Sequence, residues 1–307
     1  MTLVRIATRG SRLALAQAGL VAAEIESRLG LETELVPIGT SGDRLQDASL
    51  AKVGGKGLFV KELEEALLDR RADLAVHSAK DLPARLPEGL MLAAHPERAD
   101  PRDALVAGGG ARTIATLARG ARVGTGSARR AAQLRALRPD LEIAPLRGNV
   151  TTRLERLDAG RFDALVLACA GLDRLGLGGR IDERIEPSQL LPAVGQGVLA
   201  LETRTGEALA GELAALTHVE TLRALTAERA LLAVLQGDCN VPIAALAEAL
   251  GPERMRLRAL VASPDGRRLV HGEAEAADPE SLGAEVAEKL LAQGAREILA
   301  ALRDGRP

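Results

Sequence analysis

The sequence predicts an α/β protein with parallel or mixed sheets in its first two-thirds and a smaller α+β unit in its last third. Two observations lead there. From the N-terminus to about residue 202, short apolar strand-like runs alternate with amphipathic helical stretches. From about residue 220 the pattern changes to a helix, a turn, two strand patterns and a long terminal helix.

Taken in order, residues 3–8 (Leu-Val-Arg-Ile-Ala-Thr) read as a strand and 12–29 as a helix, with Ser11 in the N-cap position. Thr33–Ile38 is a second strand. The glycine-rich stretch Gly39 to Gly57 is long for a simple connection and is expected to be a mobile loop. Leu58–Arg70 is amphipathic, with Leu58, Leu63, Ala66 and Leu67 interleaved with Lys61, Glu62, Glu64 and Glu65. Asp73–His77 reads as a buried strand, after which Pro83 and Pro87 break regularity. Alternation restarts near Asp103. Strands are expected at 104–107, 122–125, 141–146, 164–169 and 198–202, and helices at 113–119, 128–137 and 150–159. The last third offers a helix at 220–235, strands at 255–262 and 268–275, and a helix at 280–302. No internal repeat stands out.

Composition narrows the functional classes. The chain has 307 residues, enough for two or three domains with buried cores. Its formal charge of −2, with no Trp, no Tyr and only Phe59 and Phe162, argues against a nucleic-acid partner, which favours a basic surface and stacking aromatics. No apolar run is long enough to span a bilayer, and Met1–Ile6 lacks the features of a signal peptide. Cys169 and Cys239 lie far apart, and the four histidines are scattered, so neither a disulfide framework nor a metal site is indicated. A cytoplasmic, metal-free protein is expected.

Three segments place arginine beside glycine, serine or threonine where a strand hands over to a helix: Thr8–Ser11, Thr125–Arg130 and Leu146–Arg153. Free backbone N–H groups and the positive end of the helix dipole make such a junction an anion site. Arginine adds a planar fork suited to carboxylate or phosphate. A small ligand with several negative charges is therefore expected. In Val76–Pro83 a Lys80-Asp81 pair follows a strand directly, where an open α/β sheet places its ligands. A carboxylate there can stabilise a developing cation, although an isolated pair of this kind is more often a surface ion pair. Cys239 lies in the turn Gly237–Pro242 and is expected to be accessible, whereas Cys169 in an apolar run reads as core. His77 has no nearby nucleophile in sequence and reads as structural. Gly54–Gly57 lacks the spacing of a phosphate loop.

Together these blocks resemble the porphobilinogen deaminase (hydroxymethylbilane synthase) family. The matching segments are Arg5–Arg9, Leu50–Phe59, His77-Ser78 with Lys80-Asp81, Asp100–Asp103, Val123–Thr125 with Ser127 and Arg129-Arg130, Leu146–Val150, Leu191–Gly197, Ala227–Ala230, and Cys239 with Val241-Pro242. They keep their order over nearly the whole chain.

The resemblance implies two lobes like those of periplasmic binding proteins, with mixed sheets, and a smaller α+β C-terminal domain. The implied divisions are 1–98 with 198–216, 103–192, and 220–307. It implies a monomeric transferase of porphyrin and heme biosynthesis that carries one dipyrromethane, bound through a thioether to Cys239, and takes porphobilinogen as substrate. By the same resemblance Asp81 and Lys80 are catalytic, and Ser78, Lys80, Thr125, Ser127, Arg129, Arg130 and Arg147 hold the cofactor. Arg9, Ser11, Arg147, Arg153, Arg174 and Gln196 would hold substrate, and Lys52, Lys56 and Phe59 would belong to an active-site loop. Gly126 stands where the family often has serine, Ala79 replaces a commoner methionine, Thr151 sits where a smaller or acidic residue is frequent, and Asp238 precedes the cysteine where glycine is usual. The rival reading is a non-catalytic two-lobed anion-binding protein, which explains the arginine turns but not a turn cysteine on a third unit.

Overall fold

The computed structural model describes residues 3–40, 60–83, 85–236 and 241–303. The chain forms two compact units, Met1–Ala99 with Gly197–Leu222, and Asp100–Gln196 with Arg223–Pro307.

In the first unit β1 (Leu3–Arg9) runs into α1 (Arg12–Leu29) and β2 (Glu32–Ile38). Ser11 starts α1 by accepting a hydrogen bond from the Ala14 N–H at 3.3 Å, and Gly30, left-handed at φ 67°, ends it. After α2 (Lys61–Leu68) come β3 (Leu74–Ser78) and β4 (Leu90–Ala94). The chain returns as β10 (Leu199–Arg204), followed by α6 (Ala208–Leu213). The sheet order is β2-β1-β3-β10-β4, with β1 parallel to β2 and β3, and β10 antiparallel to β3 and β4. Alternation along β3 decides which face each residue serves. Leu74 and Val76 join Val4, Ile6, Leu199 and Leu201 under Val21 and Ile25 of α1. Ala75 joins Ala7 and Leu90 under Leu63 and Leu67 of α2. Each fully buried aliphatic side chain here contributes about 1.5–3 kcal/mol.

The second unit repeats this strand order, although its inserted antiparallel strand comes first in the chain and not last. Its strands are β5 (Asp103–Ala107), β6 (Arg122–Thr125), β7 (Glu142–Pro145), β8 (Ala164–Ala168) and β9 (Glu183–Ile185). The order is β7-β6-β8-β5-β9, again a parallel trio with an antiparallel strand inserted before the edge. The helices between them are α3 (Ala128–Leu137), α4 (Val150–Asp158) and α5 (Cys169–Arg174). After α7 (Val219–Leu235) the chain builds the antiparallel sheet β11 (Ile243–Ala249), β12 (Met255–Ala262) and β13 (Leu269–Ala276), then α8 (Pro279–Leu290) and α9 (Arg296–Arg303). One face of this sheet packs Leu257, Val261 and Val270 against Leu231 and Val286. The other packs Leu246 and Leu260 with Leu191.

The α/β class and the α+β character of the last third agree with the sequence. Several elements differ in detail. The helix expected at 113–119 is a single 3-10 turn, Ile114–Thr116, closed by reciprocal Thr113 and Thr116 hydrogen bonds. The helix expected at 280–302 breaks at Gly294, whose φ of 102° cannot continue a helix. The strands β4, β9 and β11 and the helices α5 and α6 were not expected. Cys169 begins α5 and does not end a strand. Among the described residues no helix is long and apolar enough to cross a membrane.

Candidate functional site

All three arginine-bearing junctions form as strand-to-helix turns. In the first unit β1 ends at Arg9, which is half-buried, and Ser11 caps α1. Beside it β3 ends at Ser78, whose hydroxyl accepts from Gln17 Nε2 at 3.1 Å. The chain then turns through the 3-10 residues Ala79–Asp81. The Ala79 N–H donates to the Val198 carbonyl at 3.0 Å, and the Leu82 N–H closes the turn on the Ala79 carbonyl at 3.3 Å. Lys80 is half-buried and Asp81 is exposed. A carboxylate held beyond a strand end by a closed turn is available to a ligand.

In the second unit β6 ends at buried Thr125, whose Oγ1 accepts from the Ser127 N–H at 3.2 Å. The Ser127 hydroxyl caps α3 by accepting from the Arg130 N–H at 3.4 Å. One strand over, Asn149 caps α4 by accepting from the Thr152 N–H at 2.9 Å. Between these caps lie Arg147, half-buried, and Arg153, whose Nε donates to the Gly148 carbonyl at 2.8 Å. Gly148 takes φ 99°, which favours glycine. Gly126, the departure from the family's serine, also has a structural reason. A Cβ there would sit 2.6 Å from the Leu146 carbonyl oxygen, so the β6–α3 turn lies against the β7–α4 turn too closely for a side chain. Arg174 closes α5, and burial lowers its guanidinium to about 10.

Arg129 and Arg130, expected to meet the ligand, turn inward instead. Both are buried, and both converge on Asp103, which is fully buried at the start of β5. Arg129 Nη1 donates to Asp103 Oδ2 at 2.8 Å and to the Leu191 carbonyl at 2.6 Å. Arg130 donates to Oδ1 through Nε at 2.9 Å and Nη2 at 2.6 Å. Gln196, also expected at the ligand, donates to the same Oδ1 at 2.8 Å and to the Pro101 carbonyl at 2.7 Å. Burial alone would raise the Asp103 carboxyl, but the two guanidinium groups outweigh it and hold it far below the usual carboxylate range. Two cations against one anion leave the cluster with a net positive charge directly behind the Ser127 cap.

Cys169 is buried, and burial pushes its thiol up to about 12, so it is unreactive near neutrality. Cys239, Lys52, Lys56 and Phe59 lie outside the described residues. Sequence reasoning missed Asp103 as an anchor, and it missed Gln133, which bonds both the N–H and the carbonyl of Leu191 at 2.8 and 3.0 Å. It also missed the buried Glu202, which accepts from or donates to His77 Nε2 at 2.8 Å. A carboxylate within the apolar strand pattern 198–202 was the available signal.

Two family models match the chain. One, described as porphobilinogen deaminase, dipyromethane cofactor binding domain, covers residues 4–212. The other, described as porphobilinogen deaminase, C-terminal domain, covers residues 222–292. Among solved structures, the chain matches a periplasmic binding protein of Salmonella typhimurium with high arginine specificity at 17% identity and a TM-score of 0.41, covering 70% of this chain and 92% of that one. It matches a lipoprotein of Bacillus subtilis described as methionine-binding at 13% identity and a TM-score of 0.42, covering 72% and 90%. It also matches a periplasmic substrate-binding protein of an ABC transporter from Coxiella burnetii at 13% identity and a TM-score of 0.41, covering 71% and 93%.

Proposed function

The chain belongs to the porphobilinogen deaminase family, a transferase family, and we propose that it condenses four porphobilinogen units, with loss of ammonia, onto a dipyrromethane joined to Cys239 through a thioether. The released product is the linear tetrapyrrole hydroxymethylbilane. The observation that carries this reading is the pair of adjacent helix N-termini at Ser127 and Asn149, flanked by Arg147 and Arg153, within the segment matched by the cofactor-binding model.

A dipyrromethane carries acetate and propionate side chains, and the donors present suit them. Free N–H groups at two helix starts, the Thr125 and Ser127 hydroxyls and the Arg147 and Arg153 guanidinium groups are anion partners. Arg129 and Arg130 would act mainly through the net positive charge they share with Asp103. When bound, the cofactor supplies the pyrrole carbon to which the first substrate is joined.

Arg9, Ser11 and Lys80 in the first unit, and Arg174 in the second, would each offer donors to substrate carboxylates, whereas Gln196 is engaged by Asp103 and the Pro101 carbonyl. Asp81 would stabilise the electron-poor azafulvene cation that porphobilinogen becomes on losing ammonia. An ionised carboxylate favours that cation over the neutral ground state, so it lowers the barrier without tightening substrate binding equally. Lys52, Lys56 and Phe59 would supply an active-site loop. A monomer working in the cytoplasm completes the proposal.

Intact mass tests it against a non-catalytic anion-binding protein. Wild-type protein should be heavier than its sequence by a dipyrromethane adduct, and Cys169→Ala should retain both adduct and activity. Cys239→Ala should lose both. A wild-type mass equal to the sequence mass, or an active, adduct-bearing Cys239→Ala protein, refutes the assignment.

A further inference from the structure

Beneath α2 lies a group of three titratable side chains that the proposed chemistry does not use. His77 on β3 and Glu202 on β10 share one sheet face, because β10 pairs antiparallel with β3 through Ala200↔His77 and Glu202↔Ala75. They are therefore diagonal neighbours, and His77 Nε2 lies 2.8 Å from Glu202 Oε2. Both are buried, Glu202 completely. Glu64 joins them from the buried side of α2, which covers that face through Leu63 and Leu67. One oxygen of each carboxylate, Glu64 Oε1 and Glu202 Oε1, is buried and has no hydrogen-bond partner.

We infer that Glu64, His77 and Glu202 form a buried proton-holding cluster that positions the Ser78–Asp81 turn. The unpartnered oxygens show why. Glu64 Oε1 and Glu202 Oε1 are buried without a donor, and a charged oxygen left in that state is costly. One proton on Glu64 removes the charge from its orphan oxygen and leaves the His77–Glu202 contact in place. Burial first, and then Glu202, push the Glu64 carboxyl up to about 7, with His77 opposing and Glu65 on the same helix adding to the rise. By strand alternation β1 presents Arg5, Ala7 and Arg9 to that side, and Asp73 holds Arg5. Arg204, farther along β10, is engaged by Glu207, Asp73 and the α2 carbonyl of Leu67.

Position ties the cluster to the site. Glu202 fixes His77 on one face of β3, and Gln17 fixes Ser78 on the other. These are the last two strand residues before Ala79, Lys80 and Asp81, so the cluster sets where the turn begins. Its effect on turnover rests on the role proposed above for Asp81, but the protonation itself does not.

The test uses the full chain without substrate. The folded-state value of Glu64, about 7, lies above the 4.5 of a free glutamate, so the folded protein binds the extra proton. Its stabilisation is complete below about pH 4.5 and is lost as pH rises through about 7. Wild-type thermal midpoints should therefore fall over that interval relative to Glu64→Gln. Infrared difference spectra across pH 7 should show a carboxylic-acid carbonyl band lost from wild type and absent from Glu64→Gln. Glu202→Gln, which removes the neighbouring charge, should move the wild-type transition to lower pH and provides the reading if Glu64→Gln does not fold. With porphobilinogen, Glu64→Gln should displace the pH profile of kcat and leave KM unchanged. No carboxylic-acid band in wild type, or the same pH response of stability in both proteins, overturns the cluster. An unaltered kcat profile overturns its positioning role. A wild-type protein that consumes no porphobilinogen defeats the proposed function, while the infrared and unfolding results still decide the protonation.

Discussion

Replacing Asp103 with asparagine isolates what one buried carboxylate does for the second unit. The side chain keeps its shape but loses its charge, and one acceptor oxygen becomes an amide that can only donate. The site now facing that amide already holds donors: Arg129 Nη1 on the Oδ2 side, or Arg130 Nε and Nη2 with Gln196 Nε2 on the Oδ1 side. Neither orientation satisfies both arginines. Arg129 also loses the partner that offsets its burial, leaving burial and the neighbouring Arg130 charge to act against its ionised form. Breaking a buried ion pair by removing one partner costs about 3–5 kcal/mol. For a folding unit the size of the second one, roughly 180 residues, 1 kcal/mol moves the thermal midpoint by about 2–4 °C. A drop of roughly 6–20 °C follows, measured by far-ultraviolet circular dichroism. The wild-type carboxyl is held far below its unfolded value, so its contribution is full above about pH 4 and is lost only in strong acid. The gap between the two proteins should therefore stay constant through neutral pH. An Asp103→Asn midpoint equal to wild type, or a gap that closes on mild acidification, would show that Asp103 does not anchor the arginine pair.

Two further outcomes are expected. Asp81→Asn should lower turnover by roughly 10²–10⁴-fold with little change in substrate binding, read as single-turnover ammonia release by cofactor-loaded protein; release at the wild-type rate would make Asp81 a bystander. Gly283→Ala should cost about 1–3 kcal/mol of overpacking, because its Cβ would fall 2.4 Å from the Ala227 carbonyl and 2.6 Å from the Ala230 Cβ where α8 crosses α7; an unchanged urea midpoint would show that the helices separate without cost.

The class of the fold was legible because the strand and helix periodicities are local. Ser11, Ser127 and Asn149 cap helices where the sequence places serine or asparagine before an amphipathic run. What escaped was set by distant pairing. β11 is alanine-rich with Ile243 as its one β-branched residue, a weak strand signal, yet it forms because β12 offers it a full ladder from Val261 to Met255. β4 follows two prolines and becomes a strand through β10, more than a hundred residues later. The break at Gly294 was visible only as a glycine, a residue that a helix interior tolerates at modest cost.

The candidate site divides in the same way. The helix starts follow from the local sequence. The direction of the side chains beside them does not. Arg129 and Arg130 sit beside an anion-binding cap in sequence and suit an anionic ligand in chemistry, but a fork of donors is equally suited to an internal carboxylate. The deciding residue is Asp103, a buried acid on β5, which lies beyond β8 from the strand that leads into α3. His77 and Glu202 are a second instance, brought together by the β3–β10 ladder across 125 positions. Both clusters lie one layer behind the residues proposed to meet substrate and cofactor. Each fixes the start of a turn: Asp103 through the first residues of α3, and Glu202 through the last residues of β3. In each unit a buried acid inside the sheet therefore stands behind a turn proposed to meet ligand, and the sequence pattern at strand ends exposes the turn but not the acid behind it.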